Sequence, residues 1–264
     1  MEAEPGIDVV TDTEIADGER SGGTTTSHTI LVSSLTHLLK SVDRNADAGA
    51  YERAVIDDNV LGTKTTESRS RIYRALRELY LLRPDSILFR SLRDVWTDDP
   101  RGQPLLAGLC ALARDSVFRA SAKVILDSDP GDAVTSGDLA AAVEAAFPTA
   151  YGEKTYAKIG RNHYSSWEQT GHLDQAEKNE KSRRRPVCTA STTTYALLLG
   201  HLEGVRGEAL FDTIWARVLD HPRSYLMEMA ALASQRSLVD FRHSGGVTEV
   251  GFTELLRPME GQLL

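Results

Sequence analysis

Lys154, Lys158, Arg161 and Ser165 recur at i, i+4, i+7 and i+11, the spacing that gathers side chains on one face of a helix. Tyr156, Ile159, His163 and Trp167 fall between them and share the other face. One face is expected to pack and the other to stay free. Directly downstream, Lys178, Lys181, Arg183, Arg184 and Arg185 crowd a polar segment. Cationic donors arranged in this way suit phosphate oxygens, so the expected chemistry is recognition of a charged backbone rather than bond-making. Arg161 and Asn162 are also candidates for base edges, Arg preferring guanine and Asn adenine. The plain alternatives are a solvated helix face and, for Arg183 to Arg185, a basic linker.

The charge balance sharpens this reading. The formal net charge of the 264 residues is −8. Residues 1–20 hold seven acids against one base, Arg20, whereas Lys154 to Arg185 hold eight bases against four acids. Acidity and basicity are therefore segregated along the chain, and the basic segment is the one expected to meet nucleic acid.

Catalytic patterns do not emerge. The seven histidines form no HxxxH or HExxH pair, and no P-loop, GxGxxG or GxSxG run is present. Asp57-Asp58, Asp98-Asp99 and Asp127-Ser-Asp129 fall at expected helix ends and turns, where capping explains them. His163 lies on an apolar stripe and reads as a core histidine with one hydrogen-bonded nitrogen. No enzyme activity, metal or cofactor is expected. Cys110 and Cys188 are far apart and belong to no CxxC, which fits a reducing cytoplasm. The acidic N-terminus has no apolar h-region and the longest apolar run, Leu105 to Ala113, falls short of the ~20 residues of a membrane span, so a cytoplasmic protein with no membrane partner is expected.

The elements that must position the basic face are mainly helical. Residues 1–27 read as a disordered acidic leader. Residues 28–115 should form a helical bundle: Leu31, Leu35, Leu38 and Leu39 mark one helix, Tyr51 to Asp58 a second, Ile72, Leu76 and Leu79 a third capped by Thr65 or Thr66, and Leu88, Leu92, Val95 and Trp96 a fourth. Arg71, Arg74 and Arg77 on the third read as a solvated face. Residues 116–190 have winged-helix order, with a helix around Phe118 to Ile125, a turn, a capping-box-like Thr135-x-x-Asp138 start, the basic helix 153–170 ending at Gly171, and a basic wing. Gly160 costs that helix ~1 kcal/mol relative to Ala, for which close packing is the expected reason. Residues 191–257 repeat the layout, with three helices and a β-hairpin signalled by Ser244-Gly245-Gly246, and 258–264 form a tail.

From Ile30 to Tyr80 a leucine-rich helix leads to Val55-Ile-Asp-Asp-Asn-Val-Leu61 and then Lys64-Thr-Thr-Glu-Ser-Arg-Ser-Arg-Ile72. This cadence resembles the BrxA family, small accessory proteins of bacteriophage exclusion (BREX) defence systems, and the order of later helices extends the likeness over roughly residues 28–255. The acidic leader and the basic segment 174–186 look like additions to the family pattern. The resemblance implies a NusB-like helical front half, helix-turn-helix-type modules behind it, double-stranded DNA as partner, and antiviral phage resistance alongside the system's methyltransferase, ATPase and phosphatase-like proteins, with no catalytic activity. It also supplies alternatives: a protein adaptor or RNA-binding protein of the same system. A winged-helix transcription regulator would share the same modules.

Overall fold

The computed structural model describes residues 14–177 and 180–258 and is mainly helical. Five helices make the front of the molecule: α1 (Val32–Ser41), α2 (Ala48–Ile56), α3 (Thr66–Tyr80), α4 (Ile87–Trp96) and α5 (Gln103–Arg114). Their starts follow from local chemistry. Asp47 accepts from the Ala50 amide at 2.8 Å, Thr65 from Ser68 at 3.2 Å and Ser86 from Phe89 at 3.1 Å, each satisfying an amide that has no partner inside its helix. The stripes expected on α1, α3 and α4 are buried, from Leu35 and Leu38 through Leu76 and Leu79 to Leu88 and Leu92. α5 differs, because every residue from Leu105 to Ala113 is buried and α1, α3 and α4 all pack on it.

The middle of the chain folds as α6 (Ser116–Ala120), α7 (Ala122–Leu126), strand β1 (Ala133–Val134), α8 (Ser136–Ala146), α9 (Glu153–Gln169), β2 (Leu173–Glu177) and β3 (Glu180–Arg183). The three strands form an antiparallel sheet in the order β1-β3-β2, with Val134 opposite Lys181 and Leu173 opposite Arg183. The Thr135–Asp138 capping box starts α8 as expected. Gly160 is where α9 crosses α8. A Cβ there would run into the Ser136 carbonyl and Ala140, so close packing is its role.

Behind this unit lie α10 (Ala190–Leu202), a 3-10 turn at Gly207–Asp212, α11 (Ile214–Val218), α12 (Arg223–Gln235) and the hairpin β4 (Asp240–Ser244) to β5 (Val247–Gly251). Gly245 and Gly246 turn the hairpin with φ of +57° and +79°, values that favour glycine. α10 is buried on all sides from Ala190 to Gly200 and packs against α4, α5, α11 and α12. A single apolar core consequently runs from Ile30 to Leu255. Val117, Val143, Phe147, Tyr156 and Ile159 form a separate small cluster under α8 and α9.

The expected disorder of residues 1–27 is corrected for the part that is described; residues 1–13 lie outside it, as do 259–264 of the expected tail. Residues 14–27 are seated on the bundle. Glu14 is 3% exposed, and its carboxylate accepts from the Ile87 and Leu88 amides at 3.1 and 2.9 Å, capping α4. The Ala16 amide donates to the Ala113 carbonyl at 2.7 Å, and Arg119 donates to the Ala16 carbonyl. Thr25, fully buried in a 3-10 turn at Thr24–Thr26, donates its amide to the Asp115 carboxylate at 2.8 Å. Low hydrophobicity suggested disorder, but this segment is held by polar bonds to distant groups. Glu14→Ala should therefore lower stability by about 1–2 kcal/mol, the usual range for a lost helix cap. Chemical denaturation would check it, and an unchanged midpoint would mean the leader is not seated as described.

Candidate nucleic-acid interface

α9 is set in place by its apolar face. Tyr156, Ile159, His163 and Trp167 are all buried, as the periodicity predicts. The Tyr156 hydroxyl donates to the Phe147 carbonyl at 2.6 Å and pins the connection from α8, while the Trp167 indole N–H donates to Ser121 Oγ at 3.0 Å. His163 Nε2 lies 3.0 Å from Thr25 Oγ1, and its Nδ1 has no partner among the described residues. Burial pushes this imidazole down to about 3, so it is neutral at pH 7. That is the core histidine expected from the sequence.

The opposite face presents Lys154, Lys158 and Arg161 to solvent, and none of the three forms an ion pair among the described residues. Ser165 is half-buried at the edge of this face. Asn162 is a correction. Its amide donates to the Thr25 carbonyl at 3.0 Å, so it anchors the leader and is not free to read a base.

The wing departs further from expectation. Lys181 is 7% exposed, with Nζ 2.8 Å from Glu168 and 4.0 Å from the centre of the Tyr164 ring. Arg183 is 3% exposed; its Nε donates to the Ile125 carbonyl at 2.9 Å, and a terminal nitrogen lies 3.0 Å from Asp220 Oδ2. Neither is a free cation. Lys181 and Arg183 sit two apart on β3 and so point to the same, inward side. Arg184 is exposed but paired with Asp174 at 2.6 Å, and Arg185 is exposed without an ion pair among the described residues. Lys178 lies outside the described residues. Of the candidate cations described, Lys154, Lys158, Arg161 and Arg185 remain available.

The structure adds groups that the sequence placed elsewhere. His28, Arg71 and Arg74 line an open cleft of about 200 Å³ between the 3-10 turn and α3. Burial, followed by the positive charges of Arg71 and Lys158, lowers the His28 pKa, with Glu78 opposing. The charge of Lys158 on α9 and that of Arg71 on α3 thus both act on His28. No sequence signal joins these segments, because α3 and α9 meet only in space, through the 3-10 turn and through α5, on which both pack.

Cys110 and Cys188 are separate buried thiols, and burial pushes Cys110 up to about 12. Among the described residues, no three His, Cys, Asp or Glu side chains converge as a metal site, and no helix is long and apolar enough to cross a membrane. No family model, curated protein or solved structure matches this chain.

Proposed function

We propose that the protein binds duplex DNA through the exposed face of α9, with little sequence preference. The observation that carries this is the unpaired trio Lys154, Lys158 and Arg161 on the second of two packed helices followed by a strand pair. Helix, strand, helix, helix and two strands in one antiparallel sheet is winged-helix order, in which that helix enters the major groove and the strand pair flanks it. The engagement of Asn162, one of the two candidate base readers, by the Thr25 carbonyl favours phosphate contact over base readout, since phosphate contacts position a protein without specifying sequence. We read the front helices as a NusB-like bundle. The setting, a non-catalytic accessory role in a BREX-type defence system, rests on the cadence of residues 30–80.

A mobility-shift titration at low and moderate salt tests the reading. Each phosphate neutralised contributes about −0.9 to the slope of log affinity against log salt, which at 0.1 M salt amounts to roughly eightfold in affinity. Lys158→Ala with Arg161→Ala should weaken binding by about 60-fold on that scale without shifting the melting temperature, because both side chains are solvent-exposed. Binding that is absent or indifferent to salt would overturn the DNA reading and favour a protein adaptor.

A further inference from the structure

The 3-10 turn at Thr24–Thr26 joins two elements far apart in sequence. On one side Thr25 holds α9, through its carbonyl to the Asn162 amide at 3.0 Å and its hydroxyl to His163 at 3.0 Å. On the other, Thr24 Oγ1 donates to Glu78 of α3 at 2.7 Å. The turn's own geometry is fixed, since Thr26 Oγ1 donates to the Gly23 carbonyl at 2.8 Å and a Cβ on Gly23 would collide with the Asp115 carboxylate. The cleft beside it is consequently a formed feature, with Arg71 and Arg74 adjacent at i and i+3 on its wall.

The charge in this cleft is incompletely balanced. Glu78 is engaged by Thr24, and Arg71 reaches Glu67 at 2.9 Å in a pair whose two side chains are 57% and 85% exposed. Such an exposed pair contributes little and yields readily to a stronger acceptor. Arg74 is exposed and forms no ion pair among the described residues. A guanidinium pair of this kind matches the oxygens of a phosphodiester, which can accept from both.

We propose that the His28/Arg71/Arg74 cleft is a second phosphate subsite for the same duplex, so that the DNA surface spans α3 and α9 rather than α9 alone. The inference rests on the DNA reading above. Its consequence is a longer footprint with no added base specificity, since the cleft offers groups suited to the backbone. Burial, and then the positive charges of Arg71 and Lys158, lower the His28 pKa against the opposing charge of Glu78, so cations outweigh the one carboxylate felt there.

The test uses the full chain and a short duplex of arbitrary sequence, titrated over a series of salt concentrations. Arg71→Ala with Arg74→Ala should weaken binding by about eightfold per phosphate contact at 0.1 M salt and reduce the salt slope by about one to two. Arg71→Lys with Arg74→Lys should keep the slope while losing part of the affinity, because Lys retains the charge without the fork of donors. The melting temperature of both variants should match the parent. If the Ala variant binds with the parent's affinity and slope while Lys158→Ala with Arg161→Ala weakens binding, the cleft is not part of the surface and the α9 reading stands. If the parent binds no duplex at all, both readings fall.

Discussion

Between pH 7 and pH 5 the protein is expected to lose about 4 kcal/mol of folding stability, roughly 2 from each of two buried histidines. His163 and His172 are fully buried and both are held down to about 3 from 6.5. Burial is the main cause in each. For His172 the positive charge of Arg183 adds to it, while Nε2–H donation to the Val218 carbonyl at 2.7 Å works against it. In the unfolded chain both rings take up a proton as pH falls below 6.5, but in the fold they stay neutral until about 3. Their stability is thus fully present above 6.5 and is lost progressively as pH falls toward 3. Asp115 acts in the opposite sense. Burial raises its carboxyl, so the fold takes up that proton first and returns part of the loss at the acid end. Urea unfolding at a series of pH values measures the slope, and a flat profile from 7 to 5 would show that the rings are not buried neutral. His172→Asn should shallow the slope by about half, whatever it does to stability at pH 7.

Arg183→Ala is expected to cost about 1–3 kcal/mol, the range for leaving buried acceptors without their donor, because its counter-charge Asp220 is 24% exposed and can be solvated. The guanidinium ties β3 to Ile125 at the end of α7, to His172 just before β2 and to Asp220 just after α11. Its loss leaves the Ile125 and His172 carbonyls short of a donor and Asp220 without its counter-charge. Arg183→Lys should rescue little, because a single ammonium cannot reach acceptors spread around a planar fork. Arg185→Ala and Arg184→Ala are the contrast. Both side chains are exposed, and even the Arg184–Asp174 pair should contribute no more than about 1 kcal/mol. Equilibrium denaturation separates the three. An Arg183→Ala protein as stable as its parent but weakened for DNA would place this arginine on the binding surface after all.

Several features were legible without coordinates because they depend on neighbours in sequence. The two faces of α9 follow from a 3.6-residue period, the start of α8 from Thr135 and Asp138, and the hairpin turn from Gly245-Gly246. α5 illustrates the limit of periodicity. A run that is apolar on every side, Leu105 to Ala113, carries no stripe to read, although it becomes the helix on which the front of the molecule packs. The inward turn of Lys181 and Arg183 had a faint signal in their i, i+2 spacing, usable only once 180–183 is known to be a strand.

By itself, then, the sequence determined the helical class of the chain, the amphipathic division of the basic helix and the segregation of charge along its length. Tertiary structure decided which charges are free. A tally of formal charge counts Lys181, Arg183 and Arg184 alike, whereas packing pairs them with Glu168, Asp220 and Asp174 at 2.8, 3.0 and 2.6 Å. It also decided that Glu14 and Thr25 belong to the fold, through bonds to Leu88 and Asp115 more than seventy residues away. Periodicity and propensity are local, so they can be read along the chain. Pairing requires two groups to arrive within a few ångströms of each other, and that depends on how distant elements share one core.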